Sequence, residues 1–422
     1  VTPPHTSSTK PRRRILLDTR PLRHVAFRRL WLSTIVTAIG GQFTAVAVPK
    51  QIYDMTGSSA WVGIASVTGL VPLIVFALWG GAIADTVDRR KMLLFTNSGI
   101  ALLLIVFWLQ AAFDFGSIPL LLVLVAVQQA LFGMNMPART ASVARLVPAA
   151  DLPAAVALNS TVMQGGQIGG PLLAGALIPL AGLPMLYLVD ALALCAALWA
   201  VWALPSLAPL NGETRRARLR DVLDGFRYLA MNRLLLASFA ADIIAMVFGM
   251  PRALFPELAA TGYPGVGNDF ALGLLFAAVP IGALVGGLLS GLFSGIRRHG
   301  LMVVLAVGAW GAAIAGFGLS RSIWFAVFFL ALAGVADMVS MVFRGTILQA
   351  SATDEMRGRM QGVHTVVVAG GPRLADLFHG VAAAGTGAAV AVTGGGVLVM
   401  IFVAVLAFTV PVLVKYHGAP RG

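Results

Sequence analysis

Between Ala60 and Ala84 the chain runs for twenty-five residues without a charge, and stretches of the same kind recur to its far end. Twelve apolar segments are long enough to cross a bilayer, at 30–53, 60–84, 92–112, 118–138, 153–179, 183–204, 234–255, 270–294, 300–319, 323–346, 358–384 and 387–414. Each approaches or exceeds the roughly 20 residues that a helix needs to span about 30 Å of hydrocarbon. Lipid offers the backbone no hydrogen-bond partners, so segments of this length must satisfy their own peptide groups as helices. Only 11% of the 422 residues are charged, against about 25% in a soluble domain. The expectation is an all-α membrane protein of 12 transmembrane helices.

The formal net charge of +13 would suit a nucleic-acid binder, but the cations lie in short clusters between apolar runs, with no basic groove or interleaved aromatics. With both termini cytoplasmic, 26 of the 30 Lys and Arg residues fall on the cytoplasmic side, as the positive-inside bias requires. The exceptions are Lys50, Arg252, Arg321 and Arg373. The basic start, PPHTSSTKPRRR, has no short apolar core with a cleavage site, so the first span is expected to insert without a removable leader. The expected setting is the plasma (inner) membrane, as a multi-pass monomer whose partners are a small-molecule substrate, protons and the lipid bilayer, with no nucleic acid.

One loop differs from the others. LPSLAPLNGETRRARLRDVLDGFRYLAMNR opens with two prolines and a glycine and then turns amphipathic and basic from about residue 218 to 232, which predicts a helix lying flat on the inner leaflet. It divides the chain into a tail (1–29), a six-helix half (30–204), a linker (205–233), a second half (234–414) and a short tail (415–422). The halves look like distant repeats: a shift of 205 places Arg139 on Arg344 and Gly165-Gly166 on Gly370-Gly371, and a shift of 207 places Pro49-Lys50 on Pro256-Glu257. Paired repeats in a transporter point to a substrate path between them, near the midplane.

The second span ends in GGAIADTVDRRK. Gly80 and Gly81 allow another helix to come close, Asp85 can accept hydrogen bonds or meet an arginine, and the cations hold the loop on the inner face. This stretch resembles the signature loop between helices two and three of the major facilitator superfamily, through Gly81, Asp85, Arg89 and Arg90. Thr86 and Asp88 depart from its usual arginine and glycine, and the second half carries no full copy. The resemblance implies the major facilitator fold, two pseudo-symmetric six-helix halves, with the loop acting as an inner gate. The competing reading is that Asp85 and the basic run only mark topology.

GGQIGGPLLAGAL adds a second likeness. Gly166, Gly170, Pro171 and Gly175 resemble the helix-five pattern of exporters in that superfamily, where glycines at four-residue spacing make a smooth face and a proline bends the helix. AVPKQIYDMTGSSAWVG, MPARTASVARLVP, RDVLDGFRYL, ALFPELA and LLFAAVPIGALVGGLLSG extend the likeness from about Phe27 to Lys415, toward the drug/proton antiporters that include siderophore and macrolide exporters. Many of these carry an arginine in the fourth helix where Gln128 and Gln129 stand here, so any proton site must lie elsewhere.

Ionisable groups inside spans are functional candidates, because hydrocarbon penalises them by several kcal/mol. Asp242 and Asp337 lie in spans seven and ten, and helices one, four, seven and ten line the cavity in the fold that the resemblance implies. Both are proton-coupling candidates, with hydrogen bonding to a neighbouring helix as the alternative. In span eleven Arg373 and Asp376 share a face, with His379 three residues on; an internal ion pair is the simplest reading, and a relay through Asp376 and His379 the other. Asp190 reads as a structural hydrogen-bond partner. Lys50 and Glu257, at symmetry-related outer positions, are expected either to form an outer-gate salt bridge or to reach separately for the surface. Arg139 and Arg344 sit where inner-gate cations would stand. Gln42, Phe43, Gln129, Phe248 and Phe276 are the candidate cavity lining.

Several chemistries find no support. There is no GxxxxGK[ST] phosphate loop, no grouping of the six histidines or of the single Cys195 that spells a metal site, and no nucleophile with its base. Neither cofactor nor enzymatic activity is expected. The resemblance implies a secondary active exporter that moves a small amphipathic molecule, siderophore or hydrophobic drug, outward by alternating access in exchange for protons. The alternatives are a nutrient importer or uniporter and a transport-inactive sensor or scaffold.

Overall fold

The computed structural model describes residues 18–84, 87–207, 219–293 and 295–418. Its helices are α1 (Val25–Thr56), α2 (Ser59–Thr68), α3 (Leu70–Ala84), α4 (Arg89–Ala112), α5 (Ile118–Leu146), α6 (Leu152–Trp202), α7 (Leu219–Met231), α8 (Arg233–Gly249), α9 (Phe255–Thr261), α10 (Asn268–Leu288), α11 (His299–Leu319), α12 (Ile323–Ser351), α13 (Asp354–Thr386), α14 (Ala388–Thr409) and α15 (Pro411–Val414). Ten helical stretches are long and apolar enough to cross a membrane. One of these, containing α6, holds two crossings, because Gly182 breaks it with φ 76° and ψ 170°, a conformation that only glycine adopts readily. α13 has the length of a crossing at 33 residues but carries more charge. Together they make twelve.

Polar side chains cap the starts of α4, α5 and α8. Asn232 accepts from the amides of Leu234 and Leu235 at 3.1 and 3.2 Å, and Asp88 accepts from that of Arg90 at 2.9 Å, satisfying donors that the first turn leaves open. Within the first half α6 packs on α1 and α4, and α5 on α3 and α4; in the second, α11 packs on α12 and α14, α10 on α12, and α8 on α13 and α14. Small residues set how close these backbones come. A Cβ added to Gly80 would lie 2.6 Å from the Met134 Cα, and one on Gly133 2.6 Å from the Leu73 carbonyl oxygen. Gly80, not Gly81, makes this close approach; nothing lies within 4 Å of a Cβ built on Gly81. Gln51 and Gln110, both buried, exchange amide hydrogen bonds of 2.9 and 3.0 Å, and the Tyr187 hydroxyl donates to Gln51 at 2.8 Å.

Chain direction defines the two ends of the bundle. α1 starts and α14 finishes at one end, here the proximal end; α2, the Gly182 kink, the start of α10 and the finish of α13 lie at the other, distal end. The main joins between halves are α2 with α13 and α6 with α10. They use distal residues: Gly63 against Asp376 and Leu377, Gly380 against Ser59 and Ala60, and Gly175 against Asp269 and Gly273. α3, the proximal part of the second crossing, meets α13 far less. The halves therefore close on each other distally.

α7 packs against the second half. Gly225 fits against the backbone of Arg359, the Tyr228 hydroxyl donates to the Ser351 carbonyl at 3.4 Å, and Asp224 meets Arg359 at 3.6 Å, so the helix is docked on α13 and the end of α12.

Candidate functional site

Three charged side chains meet in the middle of the second half. Asp242 is nine residues into α8 and Asp337 fourteen into α12, hence about 14 and 21 Å along their helices at 1.5 Å per residue. Between them stands Arg344, two turns below Asp337 on the same helix. Its guanidinium forms a salt bridge with Asp242 and lies 3.7 Å from Asp337. The environments differ sharply: the Asp242 and Arg344 side chains are 5% and 12% exposed, that of Asp337 42%. The sequence reading placed Arg344 at an inner gate and the two acids apart from it. The structure corrects this: Arg344 is the counter-ion that the acids share, because its side chain turns back along α12 rather than out toward the loop. One guanidinium between two carboxylates leaves one negative charge, and the more exposed acid is the one held loosely.

Further toward the distal end the charges of α13 go to the other half and not to each other. Arg373 donates to the Ala369 carbonyl at 2.7 Å and to Gln129 of α5 at 3.1 Å. Asp376 accepts from the Ser66 hydroxyl of α2 at 2.5 Å and from the Ala253 amide at 3.1 Å. The expected internal pair of Arg373 and Asp376 is thus replaced by two bridges between halves, since neighbours from three other elements offer better-placed partners than the same helix does. His379 is fully buried, its Nε2 lies 3.1 Å from the Phe248 carbonyl, and Gly395 makes room for its ring.

At the distal rim Lys50 meets Asp54 at 2.8 Å and Asp269 at 3.2 Å. The expected partner, Glu257, instead accepts from the Ser59 hydroxyl at 2.6 Å. The correction has a simple cause: Asp269, in the first turn of α10, reaches Lys50 from the opposite half, while Glu257 is turned toward α2. Opposite charges still face each other across the rim, with a different acid.

The helix-five residues divide their work between two partners. Cβ atoms on Gly166 and Gly170 would run into Ala38 and Gln42 of α1, and one on Gly175 would lie 2.6 Å from the Asp269 carbonyl oxygen of α10. The Pro171 carbonyl in turn fits against Gly273. Of the expected lining residues, Gln42 lies against Gly170, and Gln129 holds Arg373. Phe43 and Phe276 are corrections, since at 2% and 8% exposure both belong to the packed core; Phe276 stacks edge-on to Phe255, at 5.1 Å between centroids. Phe248 packs on Phe378 and Phe402 at 5.1 and 5.0 Å.

Asp85 lies outside the described residues, so its meeting with Arg139 does too; Arg139 itself donates to the Thr34 hydroxyl at 2.6 Å. Arg89 reaches toward the Ala141 carbonyl at 3.5 Å, and Arg90 donates to that of Trp202 at 2.5 Å. The residue that sequence reasoning treated only as a departure, Asp88, ties the loop together. Besides capping α4 it accepts from the Leu207 amide at 3.0 Å and the Ser206 hydroxyl at 2.6 Å. Burial alone would push its carboxyl up, but these hydrogen bonds and nearby Lys91 outweigh that and hold it below the usual carboxylate range. Its place one residue ahead of a basic helix start was the legible signal for a cap.

Relatives agree with this architecture. The chain is 29% identical over 380 residues to the enterobactin exporter EntS of Citrobacter koseri, covering 90% of each protein. It is equally 29% identical over 391 residues to that of Shigella dysenteriae, covering 91% of each. Among solved structures it superposes on a bacterial homologue of the human lysosomal transporter Spinster, inward-facing and unoccupied, with a TM-score of 0.71 at 15% identity over 96% of this chain and 100% of the other. The nucleoside transporter NupG gives 0.70 at 13% identity over 93% and 99%. The family model described as transmembrane secretion effector matches residues 18–419, and the chain belongs to that family, a major facilitator transporter and not an enzyme.

Proposed function

We propose that this protein exports a small amphipathic molecule, a siderophore or a hydrophobic drug, by alternating access driven by proton antiport. The observation that carries the proposal is the shared guanidinium of Arg344 between a buried Asp242 and a more exposed Asp337. Asp337 is the proton carrier. When it is ionised, it competes with Asp242 for Arg344; when it is protonated, Arg344 belongs to Asp242 alone. That difference is local and electrostatic, and it biases the packing of α12 against α8, which is the kind of differential contact a coupled transition requires. Both termini are cytoplasmic, in line with the distribution of lysine and arginine, so the end at which the halves join, the distal one, faces outward. The exporter names of the relatives and the helix-five glycine pattern support the outward direction over nutrient uptake.

The test uses inside-out vesicles with an imposed gradient, acid inside, offered desferri-enterobactin and a lipophilic cationic dye. Gradient-dependent accumulation of either, abolished by Asp337→Asn, is the expected result. Accumulation that ignores the gradient, or survives the substitution, rules out this coupling scheme.

A further inference from the structure

Arg252 is the cation that the coupling scheme leaves unused. It stands on a three-residue turn, Arg252–Leu254, between α8 and α9, nine residues before the end of the seventh crossing and so about 14 Å from its distal end. The residue is exposed. Its guanidinium lies over the Phe276 ring, 5.8 Å from the centroid. The carboxylate in its neighbourhood, Asp376, already holds the Ser66 hydroxyl and the Ala253 amide. Arg252 and Arg373 both lie within electrostatic reach of that one carboxylate and of each other. Arg373 spends one N–H on Ala369 and one on Gln129, which fixes its plane and leaves further donors. Two guanidinium groups thus gather around one carboxylate at the level where α13 bridges to α5 and α2. A charged group at this depth faces water or a cavity, not lipid.

We propose that Arg252 and Arg373 form the anion-binding ceiling of the cargo site, so that the cargo is an acidic amphiphile bearing a carboxylate or another planar oxyanion. Guanidinium forks bind planar oxyanions through paired, charge-assisted hydrogen bonds. Arg373, pre-set by Gln129, supplies the rigid partner, and Arg252, held over Phe276, the mobile one. The surplus positive charge here and the negative charge at Asp337 impose a polarity on the path: the anionic end of the cargo seats distally and its neutral body lies toward the proton-carrying acid. The inference deepens the export reading, since it names the substrate class of the same path, but its test needs no flux.

The protein in lipid nanodiscs is titrated at pH 7.4 with two dyes that share one ring system, anionic fluorescein and cationic rhodamine 6G, followed by fluorescence anisotropy. The expected result is that fluorescein binds more tightly than rhodamine 6G, and that Arg252→Gln and Arg373→Gln each weaken fluorescein by about tenfold or more while moving rhodamine 6G by less than about threefold. Arg252→Lys, which keeps the charge, retains most of the fluorescein affinity. Equal loss of both dyes, unchanged fluorescein binding in both variants, or tighter binding of rhodamine 6G in the wild type overturns the proposal. Arginine-dependent fluorescein binding without proton-driven flux would sink the export reading and leave this site standing.

Discussion

Adding one methyl group to Gly175 should open the distal end of this transporter. The Cβ would sit 2.6 Å from the Asp269 carbonyl oxygen and 3.0 Å from the Gly273 Cα, both backbone atoms that no side-chain rotation can clear. Restoring an ordinary contact of about 3.4 Å requires α6 and α10 to separate by several tenths of an ångström, and overpacking of this kind costs about 1–3 kcal/mol. The cost falls on the distally closed arrangement, because that is where the two halves touch through Gly175. The ratio of distally closed to distally open molecules should then fall by a factor of about 5 to 150. Spin labels at Met55→Cys and Thr261→Cys, in a background of Cys195→Ser, report the distal separation by double electron–electron resonance. Gly175→Ala should move population to longer distances, and Gly169→Ala, whose added methyl meets nothing within 4 Å, should not. Identical distance distributions in the two variants would falsify the claim that this glycine seats the distal closure.

Other outcomes follow from the same geometry. Arg344→Gln leaves the buried Asp242 without its counter-ion and should cost about 3–5 kcal/mol, read as a large fall in thermal unfolding temperature; adding Asp242→Asn should recover much of it, and no recovery would refute the pairing. At the rim, reversing Lys50 to aspartate should slow transport, and Asp269→Lys in the same molecule should restore it, whereas Glu257→Lys should not. Asp88→Ala removes a helix cap and two ties to the segment after α6, a loss of about 0.5–2 kcal/mol for the cap alone. Because the native Asp88 carboxyl titrates below its unfolded value, its contribution is complete above about pH 4 and vanishes as pH falls through the native pKa. The difference in unfolding temperature between wild type and Asp88→Ala should therefore shrink in acid, and a difference that grows there would overturn the assignment.

The sequence made the twelve crossings legible because length and lack of charge fix them almost alone. The break at Gly182 was legible as a boundary between two segments, though not as a bend without an intervening loop. The site was readable one residue at a time and not in pairs. Asp242 and Arg344 are 102 positions apart, and nothing local says which acid an arginine will reach; Arg344 looked like a gate because the shift of 205 places Arg139 on it. Pseudo-symmetry brought Lys50 to the right rim and to the wrong acid, since Asp269 belongs to the next helix and has no counterpart in the repeat. Phe43 and Phe276 were assigned to the cavity by depth, but depth says nothing about rotation, and a turn of one residue, 100° on a helix, moves a side chain from water to core. Asp88 shows the converse: a departure from a familiar pattern was a structural tie in its own right.

α13 poses a problem of synthesis as well as of structure. It is the crossing least able to enter a bilayer on its own apolarity, and its two mid-depth charges would be stranded in lipid. Apart from the Ala369 carbonyl of α13 itself, the groups that receive them come earlier in the chain: Ser66 on α2, Gln129 on α5 and the Ala253 amide after α8. When the ribosome delivers α13, these hydrogen-bond partners are already in the membrane, and the helix can enter along a prepared polar seam. The order of the genetic text thus solves an insertion problem that hydropathy alone would lose. A chain deprived of α2 or α5 should leave α13 on the wrong side of the membrane while the other helices of the second half still insert.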